Sequence, residues 1–159
     1  MEEKLEPEFL WRYKACVYRT KIDGVSVFLM IYPRKDEAYG PDRIKYTEWA
    51  VTLLISRKRA VKEFSFDKLN WNKFENMQTG SGTVKGLLYA KKALTHFLTV
   101  WLPDYRKSRT EAYRDRVCVS WTDNRRRDVY RRYLSELGFT EGNIDREASS
   151  CMYVDIMKI

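Results

Sequence analysis

The chain has 159 residues, 44% apolar and 14% aromatic, with a formal charge of +8. That composition excludes a disordered tail and predicts one globular domain over 1–159. Three scattered cysteines and one histidine argue against a zinc or disulfide framework, no apolar run is long enough to span a bilayer, and the acidic start MEEKLEPEF is no signal peptide, so the expected location is a reducing cytoplasm.

Residues 1–9 read as a loose leader. Residues 11–20 are rich in strand formers, Ile22-Asp23-Gly24 signals a turn, and 25–32 (VSVFLMIY) is an apolar run; together they predict a hairpin. The stretch PRKDEAYGPDR predicts a polar loop punctuated by Pro33, Gly40 and Pro41. Residues 46–56 form the next predicted strand, Arg57-Lys58-Arg59 a basic turn, and 60–66 a returning strand. Residues 67–77 are open between a short helix capped by Asp67 and irregular chain.

A Gly80-Ser81-Gly82 turn then opens into a long amphipathic helix. Thr83, Leu87, Ala90, Leu94, Phe97 and Trp101 repeat at helical spacing, and Val84, Leu88 and Leu98 widen the stripe. Lys85, Lys92, His96 and Thr99 fall on the other side, and a stop is expected near Pro103. Free N–H groups at the helix start make the turn a candidate phosphate seat, against the plainer reading of a glycine turn that only starts a core helix. Residues 104–115 are charged and predict a loop with a helical turn. A short strand follows at 116–121, then a helix over 125–137 ended by Gly138, and a last strand at 152–159. Strand pairs come first, and helices alternate with strands only later. The expected class is α+β, a mixed and mostly antiparallel sheet with two main helices packed on it.

This order resembles the GNAT family of N-acetyltransferases. The motifs that carry the resemblance are Gly80-Ser81-Gly82-Thr83 before the long helix, Asn124 just after the strand at 116–121, and Tyr133-Leu134-Ser135-Glu136-Leu137-Gly138-Phe139, which matches the family's helix ending. The resemblance covers roughly residues 46–159 and implies a GNAT-like sheet, acetyl-CoA as cofactor, and transfer of its acetyl group to an amine. It implies that Thr79, Gly80, Ser81, Gly82, Thr83, Val84 and Asn124 bind the cofactor. It also sets out two departures. The glycine turn fits the family pattern in neither register, and Leu134 stands where the family commonly has the tyrosine that protonates the leaving thiolate.

Acyl transfer needs a base for the amine and an acid for the thiolate. Candidate bases are Glu63 and Asp67, which also read as surface carboxylates. Candidate acids are Tyr130, which shares the face of Leu134, and Tyr133 behind it; both also read as packing residues. Arg125, Arg126, Arg127, Arg131 and Arg132 form the most basic feature, read either as a seat for an anionic partner or as a solvated helix face. Three further readings stand beside the enzyme: a catalytically inactive GNAT-fold binding or structural protein, for example in a viral assembly; a nucleic-acid-modifying acyltransferase; and an unrelated α+β binding module.

Overall fold

The computed structural model describes residues 5–22, 24–56, 83–121, 131–142 and 150–158. Its strands are β1 (Glu8–Leu10), β2 (Ala15–Ile22), β3 (Val25–Tyr39), β4 (Lys45–Ser56), β5 (Tyr113–Trp121), β6 (Thr140–Gly142) and β7 (Ser150–Lys158). Helix α1 (Thr83–His96) runs on through a π-helical turn (Phe97–Trp101) into α2 (Leu102–Arg106), and residues 131–136 form α3. The strands make one sheet in the order β1-β2-β3-β4-β5-β7-β6. The class is α+β with a mostly antiparallel sheet, as expected. The chain groups into two compact units, Met1–Met30 with Thr52–Trp101, and Ile31–Val51 with Leu102–Ile159, so β3 and β4 each contribute to both.

In the first unit, β1 pairs antiparallel with β2 from Glu8↔Val17 to Leu10↔Ala15. This corrects two expectations: residues 8–10 are strand and not leader, and Trp11 lies in the connecting turn, 80% exposed. The turn closes by Tyr13 N–H donating to the Leu10 carbonyl, with Lys14 in the left-handed region. Gly24, at φ 78°, supplies the backbone that the β2–β3 turn requires. Val27 to Ile31 are all buried, as a strand covered on both faces demands.

Helix α1 buries Ala90, Ala93 and Leu94, followed by Phe97, while Lys85 and Lys92 face solvent as the periodicity predicts. Leu88 is exposed and does not widen the buried stripe. His96 departs from the expected polar face: its Nδ1 lies 2.8 Å from the hydroxyl of buried Tyr18 on β2. The helix also does not stop at Pro103. The Thr95 and Thr99 hydroxyls donate to the carbonyls of Lys91 and Thr95, both at 2.7 Å, and such back-bonding bends helices. The wider π turn follows, so Pro103 enters near the start of a new α segment, where its missing N–H is tolerated.

In the second unit, β3 runs through Pro33 to Tyr39, which corrects the expected loop over 33–43. Glu37 takes a left-handed φ of 51° inside the strand. The reversal is confined to Gly40–Ile44, where Arg43 N–H donates to the Gly40 carbonyl at 2.9 Å and Arg43 is left-handed. Strands β4 and β5 are parallel, in register from Lys45↔Tyr113 to Val51↔Val119. β5 then pairs antiparallel with β7, and β7 with β6. Helix α3 ends as predicted at Gly138 (φ 88°): Phe139 N–H reaches the Leu134 carbonyl and Gly138 N–H the Ser135 carbonyl, with Leu134 and Phe139 both buried. That is a Schellman closure.

Candidate active site

Side chains alternate across β4, so Thr47 and Trp49 project to one face and Glu48 to the other. On the Thr47–Trp49 face the residues are buried and hydrogen-bonded to β5. The indole N–H of Trp49 donates to Asp115 Oδ1 at 2.9 Å. Arg106, at the end of α2, donates from Nε to Asp115 Oδ2 at 3.1 Å and from Nη2 to Oδ1 at 2.9 Å. The same Nη2 lies 3.2 Å from Thr47 Oγ1. Thr47 donates its only hydroxyl proton to Asp36 Oδ1 at 2.8 Å, so the Tyr113 hydroxyl, 2.5 Å away, must donate to Thr47. The Arg106 guanidinium lies over the rings of Tyr113 (4.3 Å), Tyr105 (4.9 Å) and Trp49 (5.9 Å). One arginine thus ties α2 to β4 and β5 through a paired, hydrogen-bonded buried carboxylate.

Glu48, on the other face, is treated differently. It is 6% exposed. Its Oε1 lies 3.9 Å from the Cys118 thiol, and its Oε2 lies 3.6 Å from Arg34 Nε. Among the described residues Oε2 has no hydrogen-bond partner. Arg116 is the register partner of Glu48, but its guanidinium turns to Asp155 with bonds of 2.7 and 2.9 Å and covers the Tyr153 ring. Burial, and then the charge of Glu48, push the Cys118 thiol up to about 12, so this sulfur stays protonated and is no nucleophile at neutral pH. A buried carboxylate with an unfilled acceptor site is costly unless something donates to it. Its chemistry suits an incoming ammonium or amine.

Glu63, Asp67, Thr79, Gly80, Ser81, Gly82, Asn124, Arg125, Arg126, Arg127 and Tyr130 lie outside the described residues. Thr83 and Val84 are the first two residues of α1. Tyr133 is half-buried beside buried Leu134; Arg131 forms an ion pair with Glu141, and Arg132 is exposed. The sequence reading did not single out Glu48, Arg106 or Asp115. Two signals were present. Glu48 is a carboxylate within the otherwise apolar run WAVTLLI and its lead-in, and Asp115 falls in phase with Tyr113 and Val117 on the buried face of β5.

Comparisons with protein-family models, curated proteins and solved structures give no match to this chain. Among the described residues no helix is long and apolar enough to cross a membrane.

Proposed function

We propose that the protein is an N-acyltransferase on a GNAT-like fold, moving an acetyl group from acetyl-CoA to an amine, in the cytoplasm. The observation that carries this reading is the β4–β5 pair. It is a parallel pair within a mostly antiparallel sheet, and the chain between its strands includes the long helix before which the glycine turn falls. The N–H groups of residues 80–84, where α1 begins, would hold the pyrophosphate. Bound acetyl-CoA would supply an activated acyl carbon. The chain's own contribution is the base: Glu48 accepts the proton of the acceptor amine at Oε2. Among the described residues it is the candidate because it is buried with no hydrogen-bond partner there at that oxygen, beside the sequence candidates Glu63 and Asp67.

The test joins binding with turnover. Acetyl-CoA at about 100 times its dissociation constant should stabilise the fold by about 2.7 kcal/mol. Glu48→Gln should retain that shift and lose about 10²–10⁴ in amine acetylation. Absence of both cofactor binding and turnover across varied amines would defeat the reading. One observation favours a second reading, a non-catalytic binding protein of the same fold: Leu134, at the family's usual acid position, is a 6%-exposed packing residue. Cofactor binding without turnover would select it. A nucleic-acid acceptor is supported by the +8 charge and by exposed Arg132; it predicts affinity that falls linearly with log salt.

A further inference from the structure

We infer that the Arg106 cluster is a positioning device for Glu48, fixing the carboxylate from the opposite face of the same strand. This rests on the assignment of Glu48 as the reacting group. Glu48 is weakly held by its own contacts, a thiol at 3.9 Å and a guanidinium nitrogen at 3.6 Å. Its sequence neighbours are held firmly. Thr47 is fully buried and takes part in three hydrogen bonds, to Asp36, Tyr113 and Arg106. Trp49 is 1% exposed, and its indole is bonded to Asp115, which Arg106 grips with two nitrogens. Successive strand residues share one backbone, so fixing the side chains at 47 and 49 fixes the Cα–Cβ direction at 48. A carboxylate that must meet a substrate amine cannot be locked by bonds to its own oxygens. Holding it through its neighbours restricts where the carboxylate points without spending a hydrogen bond on Oε2, which is what a preorganised site needs. Arg106 suits this role because its planar fork reaches Asp115 by two nitrogens and Thr47 by one of the same; lysine has no such fork.

The experiment uses the full chain and three variants, Thr47→Val, Trp49→Phe and Arg106→Lys, at a temperature where circular dichroism shows each to be folded. Native-state amide exchange is read at residues 47–49 and, as an internal reference, at Val154 on β7. The expected result is exchange at 47–49 accelerated about tenfold more than at Val154. Acetyl transfer should show kcat reduced about tenfold and an unchanged KM for acetyl-CoA, with no further loss when the same substitution is placed on Glu48→Gln. Equal acceleration at 47–49 and Val154, or unchanged kcat despite local opening, would reduce the cluster to a stabiliser and overturn the inference. A wild type without transfer, but with the local exchange effect, would sink the acyltransferase reading and leave the hold on residue 48 in place. If Trp49→Phe does not fold, Thr47→Val carries the test, since it removes one hydroxyl at nearly constant volume.

Discussion

The sharpest stability test removes one side of the Arg106–Asp115 pair. Their side chains are 11% and 5% exposed, so neither charge finds much water when its partner goes. Arg106→Met keeps an apolar stem of similar length but leaves Asp115 with the Trp49 indole as its remaining donor among the bonds described. Breaking a buried pair from one side costs about 3–5 kcal/mol, because the surviving charge is uncompensated. Loss of the guanidinium from three aromatic rings acts in the same direction. For a chain of this length each kcal/mol moves Tm by about 2–4 °C, so a fall of about 6–20 °C is expected. Thermal unfolding followed by tryptophan fluorescence measures that fall, and urea unfolding the loss of free energy. The double variant Arg106→Met/Asp115→Leu should lose clearly less than the two single variants added together, since it leaves no buried charge. Single-variant losses below about 1 kcal/mol, the range of exposed pairs, would refute the picture of a desolvated clamp.

Gly138→Ala should cost about 1–2 kcal/mol although the added methyl meets nothing within 4 Å, because φ 88° is left-handed; an unchanged urea midpoint would show that the helix end relaxes freely. Burial raises the Cys16 and Cys118 thiols from 9.0 to about 12, so above pH 9 each ionises first in the unfolded chain and stability falls toward pH 12. Cys118→Ala should therefore show a shallower loss of stability than wild type over that window, and parallel curves would disprove the linkage. Asp42 accepts from Ile44 N–H and from Arg114 Nη2, which hold its carboxyl below the usual 3.8. Its stabilisation is present above 3.8 and lost as pH falls through the lowered value, so the gap between wild type and Asp42→Asn should close in acid; a constant gap from pH 7 to pH 2 would contradict it.

What could be read from the sequence was local. The end of α3 depends on one left-handed residue and a backbone bond that reaches five positions back, so Gly138-Phe139 after Leu134 announced it. The buried positions Ala90, Leu94 and Phe97 followed from spacing, whereas Leu88 is exposed. The extension of β3 past Pro33 was hidden because residues 34–37 are exposed and polar, so hydropathy gave no sign of the strand. The candidate site was hidden for a different reason. Asp115 becomes a clamp only when α2 brings Arg106 to it, and Glu48 becomes distinctive only because Arg116 takes Asp155. Those choices are made across strands. Spacing along the chain names the charged residues on a face but not which of them pair.

The packing of α3 bears directly on how any reaction here would run. Leu134 supplies the carbonyl that closes the helix on Phe139 and is buried with it. The closure is built on its backbone carbonyl, and a tyrosine there would have to place its hydroxyl without disturbing it. An acid for a leaving thiolate must then come from another residue: from Tyr133, about 100° round the helix, or from Tyr130, four positions earlier in the sequence. Without either, the thiolate departs unprotonated. An ordinary thiol has a pKa near 8.5, so its anion is a tolerable leaving group at neutral pH, and the missing acid costs about 10²–10⁴ in rate without closing the reaction. The base has no comparable substitute, because an ammonium must lose its proton before it can attack at all. Glu48 is therefore the position at which the catalytic and non-catalytic readings diverge most. Tyr130→Phe and Tyr133→Phe can each slow an active protein, and Glu48→Gln should lower its turnover by about 10²–10⁴.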